Sequence, residues 1–377
     1  MSALRIKDLT ISSYHNALVS RSTACTEIVN AYLGRINKYN PVLKAIININ
    51  QDAVRIAHEK DAELHSFAKH AERKKVRNGG DSSVADFLPL LHGVPIILKD
   101  TYSTHDMPTT SGVTALRSLT THRDARVVQS LRNAGAIILG KANLHELSLQ
   151  GTTTSSLGGQ TLNPFDLSRT PGGSSGGTAA ALAMNLCMVG CGGDTVNSLR
   201  SPASACSVFG FRPSAGQVSR DGIVPVSWTQ DVAGPMARNV DDLKKLFDVM
   251  KSVDPSDPAT IGSKDFASDV SPLQSIFHRQ TSLMDRVTAL FNNTPPPRIG
   301  VLNSYFAPNN TCGDLETEEA HRVKGIARWI LHACKLVFPR MEFLRVPSTP
   351  ELDVSTTGSV RCASLRVSHQ HEFLPPV

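Results

Sequence analysis

Apolar residues recur at helical spacing in the first part of the chain. Between Ala24 and Ile36, the side chains of Ile28, Val29, Tyr32, Leu33 and Ile36 fall on one face, and Ala53 to Leu64 forms a second amphipathic segment. Between them, Leu43 to Ile49 predicts a strand. Residues 66 to 88 are polar and are expected to form a loop. From residue 89 the pattern changes. His92-Gly93-Val94-Pro95-Ile96-Ile97-Leu98 is a short apolar run ending at Lys99-Asp100. A helix is expected over Ala125 to Asn133 and a buried strand over Ala136 to Gly140. Strand, helix and strand in alternation predict an α/β sheet covered on both faces. Farther on, Ala179 to Met184 starts an Ala-rich helix, Ile223 to Val226 predicts a short strand and Asp241 to Met250 a helix. A polar, proline-bearing stretch over 254–297 is expected to cross the surface with one helix inside it. Arg298 to Leu302 predicts another strand and Glu316 to Lys335 another helix. No internal repeat is present.

Composition narrows the class. In 377 residues, 40% are hydrophobic and 19% charged, enough apolar material for a large core and against wholesale disorder. The net charge of +6 is mild for this length, and the local basic cluster Lys69 to Arg77 has no interleaved aromatic residue. It reads as a solvated surface, and no nucleic-acid partner is expected. The seven cysteines include no C-x-x-C pair, so neither a disulfide framework nor a zinc ribbon is indicated. The first residues lack the apolar core of a signal peptide, and no run approaches the roughly 18 apolar residues of a membrane span. The glycosylation patterns at Asn292-Asn293-Thr294 and Asn309-Asn310-Thr311 are read as chance. A soluble, reduced, cytoplasmic protein is the expectation.

Three segments carry candidate chemistry. Lys99 ends an apolar run, where burial can strip water from its ammonium and lower its pKa from ~10.4, making it a base; a strand-end lysine in solvent is the ordinary alternative. Pro171-Gly172-Gly173-Ser174-Ser175-Gly176-Gly177 runs straight into an Ala-rich helix, so a turn held against a helix N-terminus competes with a flexible linker. Gly192-Gly193-Asp194-Thr195-Val196-Asn197-Ser198 can present a hydroxyl beside backbone N–H groups, pairing a nucleophile with an oxyanion hole, or can be an ordinary polar loop. A fourth, Gly135 with Gly140-Lys141, matches part of a phosphate-loop spacing. The intervening Ala136 to Leu139 reads as a strand, and Ala142 stands where a magnesium-binding hydroxyl belongs, so no nucleotide is expected.

Taken together, these segments resemble the amidase signature family. The Gly/Ser-rich core is matched from Asn163-Pro164-Phe165-Asp166 through Gly172 to Gly177, then Asp194-Thr195, Ser198, Arg200, Pro202 and Ala203. Gly93-Val94-Pro95 with Lys99-Asp100, Met107 to Gly112, Ala134-Gly135-Ala136 with Gly140 to Asn143, and Gly234 to Arg238 follow in the family's order. The resemblance is dense between residues 89 and 245. It implies an α/β/α sandwich with a large central mixed β-sheet covered by helices on both faces, in a domain over 1–345 followed by a tail over 346–377. It also implies a Ser–Ser–Lys mechanism. Ser198 attacks an amide carbonyl, Ser174, which the family holds beside a cis peptide bond, passes the proton, and Lys99 accepts it. Backbone N–H groups of Thr195, Val196, Asn197 and Ser198 would hold the oxyanion. The expected partner is a small-molecule amide substrate, with no metal or cofactor and no membrane; a homodimer is left open.

This chain departs from the family at two places. Val196-Asn197 replaces the usual pair of glycines before the nucleophile. These side chains would narrow the acyl pocket or tilt the donors, or Asn197 would offer its own amide to substrate. After about residue 340 the resemblance cannot be followed, and the chain reads as a shortened member. His369-Gln370-His371 near the end is read as incidental rather than metal-binding. Two alternatives stand beside a free amidase. One is a protein resembling the A-subunit of the glutamyl-tRNA amidotransferase. The other is a catalytically impaired member acting as a binding protein.

Overall fold

The computed structural model describes residues 6, 9–78, 84–263, 298–302 and 342–346. The chain forms two compact units, Met1–Ser271 and Pro272–Val377. In the second, the described residues are two parallel paired strands, Arg298–Leu302 and Glu342–Val346. The first of these is the strand expected from Arg298 to Leu302. The helix expected over Glu316 to Lys335, the two glycosylation patterns and the His369-Gln370-His371 tail lie outside the described residues.

The first unit is built on a six-stranded mixed sheet. Its strands are β1 (Ile46–Ile49), β2 (Pro95–Lys99), β3 (Ile137–Ala142), β6 (Val189–Asp194), β7 (Phe209–Gly210) and β8 (Val232–Ala237), in the spatial order β1-β3-β2-β6-β8-β7. A separate small hairpin is formed by β4 (Thr154–Ser155) and β5 (Gly159–Gln160). The central strands β3, β2 and β6 run parallel, while β1 and β8 join antiparallel on either side. Every residue of β2, β3 and β8 is buried, as near-continuous apolar runs covered on both faces should be.

Helices flank this sheet: α1 (Ile11–Val19), α2 (Cys25–Leu43), α3 (Ala53–Asn78), α4 (Arg126–Asn133), α5 (Gly176–Ala183), α6 (Arg200–Ala205) and α7 (Val240–Met250). The face expected for α2 is the one that packs, with Ile28, Val29, Tyr32 and Ile36 buried. Its N-terminus is satisfied by a neighbour, because the Asp61 carboxylate accepts from the backbone N–H groups of Cys25 (2.7 Å) and Thr26 (3.1 Å). α5 lies across the sheet and contacts β1, β2, β3, β6 and β8, which requires its small Gly and Ala side chains. No helix among the described residues is long and apolar enough to cross a membrane.

Two expectations fail locally. Residues 66–78 are not a loop, because α3 continues to Asn78. The segment is polar but contains no Gly or Pro, and its Ala, Glu, Lys and Arg residues are good helix formers. The basic cluster therefore lies on the last turns of a helix. Ile223 to Val226 is not a strand. Ile223 makes one bridge to Tyr102, Pro225 interrupts pairing, and the N–H groups of Val226 and Ser227 are captured by the Asp231 carboxylate.

Candidate active site

Lys99 is the last residue of β2, following Ile96, Ile97 and Leu98, which are fully buried. The strand carries the lysine into the interior, where it is only 2% exposed. Burial lowers its pKa from the ordinary 10.5 to about 7, against the upward pull of the Asp194 and Asp231 carboxylates. Its Nζ donates to Ser174 Oγ at 2.7 Å. Of the two readings open for this lysine, the buried one is found.

Ser174 reaches Lys99 from the turn before α5. Gly172 has φ +73°, and a Cβ there would meet Pro202 Cα at 2.9 Å, so glycine is required both by conformation and by space. The Gly173–Ser174 peptide is cis. Thr153 Oγ1 donates to Gly172 O (2.6 Å) and accepts from Gly176 N (3.1 Å), closing the turn. Ser175 then ties it to the end of β6. Its hydroxyl bonds Gly193 O (3.1 Å) and accepts from Gly193 N (3.2 Å), and its N–H donates to Ser198 O at 3.3 Å. The Gly/Ser run is thus a fully held turn and not a linker.

Ser198 is buried and sits between the end of β6 and the start of α6. The chain here is organised by Asp194. Its carboxylate accepts from Leu199 N (3.1 Å) and pairs with Arg200 (3.2 Å) and Arg212 (3.1 Å). Burial pushes this carboxyl upward, but the arginines and the Leu199 N–H outweigh that and hold it below the usual range. The N–H groups of Thr195, Val196, Asn197 and Ser198 donate to no protein acceptor among the described residues, which leaves four adjacent donors. Val196 is 73% exposed and Asn197 is also exposed. Lys99 and Ser174 are in contact. Ser198 is joined to that pair through the Ser175 backbone, while its own hydroxyl makes no hydrogen bond among the described residues. Catalytic hydrogen bonds are often loose before substrate binds.

A cavity of about 240 Å³ opens beside Lys99, Gly193 and Thr195. Ile223, Val224, Val226 and Trp228 also line it. Against this geometry, the model of the amidase family matches residues 27–280. The chain belongs to the amidase family. It is 39% identical over 271 residues to a probable amidase of Arabidopsis thaliana, covering 70% of this chain and 50% of that protein. It is also 39% identical over 258 residues to the A-subunit of glutamyl-tRNA(Gln) amidotransferase from Maridesulfovibrio salexigens, covering 68% and 48%. Among solved structures, the peptide amidase from Stenotrophomonas maltophilia is similar at 31% identity with a TM-score of 0.66, over 90% of this chain and 62% of that one. The chain spans about half the length of these curated relatives.

This amidase-family chain holds further residues at the site that its pattern alone did not single out. Asp231 accepts from Thr195 Oγ1 at 2.6 Å and contributes to the field on Lys99. It lies three residues before the Gly234 to Arg238 segment, just outside the stretch that matches the family. Arg212, the second partner of Asp194, is equally unmarked. Lys141, the residue of the phosphate-loop spacing, lies in strand β3, the element expected for that segment, and its ammonium is paired with Asp100 at 3.0 Å. As for metals, His105, Asp106 and Asp124 place donor atoms within 4.8 Å of one another. Arg132 bridges both carboxylates, at 2.8 Å and 3.0 Å, and already supplies their counter-charge.

Proposed function

We propose that the chain is an amidohydrolase that cleaves the C–N bond of small linear amides to a carboxylate and ammonia or an amine. The observation that carries this reading is the 2.7 Å hydrogen bond from a buried, near-neutral Lys99 to Ser174. A lysine with a pKa of about 7 can hold or release a proton at the pH of the reaction. Neutral Lys99 takes the Ser174 proton as Ser174 takes that of Ser198, and Ser198 Oγ attacks the carbonyl carbon. The free N–H groups of Thr195 to Ser198 stabilise the oxyanion. Collapse expels the nitrogen leaving group, which receives the proton back through Ser174. Water then releases the carboxylate from Ser198 by the same relay in reverse.

The test is ammonia release from a panel of aliphatic, aromatic and amino-acid amides, with Ser198→Ala assayed in parallel. Release that falls by at least ~10³-fold in Ser198→Ala supports the reading. Release from glutamine only when further amidotransferase chains are added would favour the amidotransferase alternative. A folded chain inactive on every amide, alone or with partners, would leave the binding-protein reading.

A further inference from the structure

The charged groups lining the cavity beside Lys99 are Asp194, Arg220, Asp221, Asp231 and Asp257. All but one are neutralised locally. Asp194 has Arg200 and Arg212, and Asp221 pairs with Arg123 at 3.1 Å. Asp257 pairs with Arg220 through two bonds of 2.6 and 2.9 Å. That same Arg220 also donates to the Trp228 carbonyl and lies 5.6 Å from the Trp228 ring, so its charge is engaged on three sides. Asp231 has no ion-pair partner among the described residues. It is held only by neutral donors, Thr195 Oγ1 (2.6 Å), Val226 N (2.7 Å) and Ser227 N (2.9 Å). An ionised carboxylate offers about four acceptor sites, so one remains beyond these three.

We propose that Asp231 sets the charge of the substrate: the cavity takes amides whose acyl part carries an ammonium or another N–H donor on an apolar frame, and rejects those carrying a carboxylate. This rests on the amidohydrolase reading. A cation entering the cavity meets a carboxylate that no arginine or lysine contacts among the described residues, with one acceptor site still open to it. A carboxylate meets the same charge, and the arginine that lines the cavity, Arg220, is already paired with Asp257. Ile223, Val224, Val226 and Trp228 supply the surface for the alkyl or aryl frame.

The experiment compares kcat/KM for three amides of matched length whose acyl part bears an ammonium, a methyl group or a carboxylate, in wild type, Asp231→Asn and Asp231→Glu. Wild type is expected to rank them in that order, with at least about tenfold between first and last. Asp231→Asn should compress the spread to within about threefold, chiefly through KM, and Asp231→Glu should restore the ranking. A proportional loss on all three substrates in Asp231→Asn would mean that Asp231 only staples its loop, and would overturn the inference. So would a wild type that accepts the carboxylate as readily as the ammonium, a result that needs no variant. Binding of propylamine and propionate to Ser198→Ala, measured by calorimetry, separates the two readings. If no amide is turned over but propylamine binds more tightly than propionate, and Asp231→Asn removes that difference, the cation site stands and the amidohydrolase reading falls. Equal binding of the two ligands overturns the inference whatever the activity.

Discussion

Lys99 and Lys141 lie on neighbouring strands, and both are buried, yet their surroundings assign them different chemistry. Burial lowers both pKa values. Lys141 has Asp100 at 3.0 Å, the Pro108 carbonyl at 3.2 Å and Thr109 Oγ1 at 3.1 Å, a site built for an ammonium. Among the described residues, Lys99 hydrogen-bonds only to a serine hydroxyl, with its carboxylates farther off. The same substitution should therefore act in opposite directions. Lys141→Met strands the buried Asp100 charge and should destabilise the fold by ~3–5 kcal/mol. Lys99→Met removes a desolvated amine and should stabilise it. Between about pH 7 and 10.5 the unfolded chain holds the Lys99 proton and the folded chain does not, so wild-type stability rises with pH across that window. The gain from Lys99→Met should accordingly be larger at pH 6 than at pH 10, approaching a few kcal/mol, since each tenfold change in the lysine's proton affinity is worth about 1.4 kcal/mol. Urea unfolding of both variants at the two pH values checks this, and a destabilised Lys99→Met at pH 6 would contradict it. The same titration should appear in catalysis. Only neutral Lys99 can accept a proton, so kcat/KM should fall about tenfold for each step of one in pH below about 7.

At the scale of elements, the site depends on how closely α5 approaches the strand ends. A Cβ on Gly177 would lie 2.1 Å from Asn143 O and 2.6 Å from Ala45 O, both backbone atoms that cannot step aside. Gly177→Ala should push the helix off the sheet, costing roughly 1–3 kcal/mol or more and pulling Ser174 from Lys99. Gly34→Ala on α2 meets nothing within 4 Å and should be neutral or stabilising by up to about 1 kcal/mol. Thermal unfolding and activity of the pair separate packing from propensity. The same packing explains which elements can be read from the chain. β2 and β3 are apolar runs, and α2, α4 and α7 carry one-sided stripes, so each is visible in the pattern. β6 is Val-Gly-Cys-Gly-Gly-Asp, and β8 holds Gly and Pro in its middle. Those residues usually signal turns, and here they serve close packing that no local pattern records. At the site, Lys99, Ser174 and Ser198 stand in dense motifs. Asp231 lies just outside the Gly234 to Arg238 segment, and its hydrogen bond to Thr195 spans 36 residues of sequence, which no local pattern records.

At the scale of the whole first unit, a few polar side chains fasten the N-terminal helices to the sheet. Arg35 on α2 donates to Met184 O (2.7 Å) and Asn185 O (2.8 Å) at the C-terminal end of α5. Arg238, just after β8, donates to Cys187 O (2.6 Å) and Leu9 O (3.4 Å). Asp242, at the start of α7, is buried and accepts from Ile11 N at 3.0 Å and from Asn239 Nδ2 at 2.8 Å. Its first bond spans 231 residues and supplies an acceptor for an N–H at the start of α1 that has no partner within that helix. Asp242→Ala would leave the buried Ile11 N–H unpaired, at a cost of ~1–3 kcal/mol, and release the half-buried Asn239 amide to water. Because β2, β3 and β6 do not use Asp242, the loss should begin locally. Amide exchange in α1 should accelerate well before that of the central strands, with kcat/KM at 25 °C little changed. Hydrogen exchange of wild type and variant resolves the two regions. Uniform acceleration across the central strands would instead show that α1 and the sheet open as one cooperative block, with Asp242 contributing to global stability rather than to the docking of a single helix.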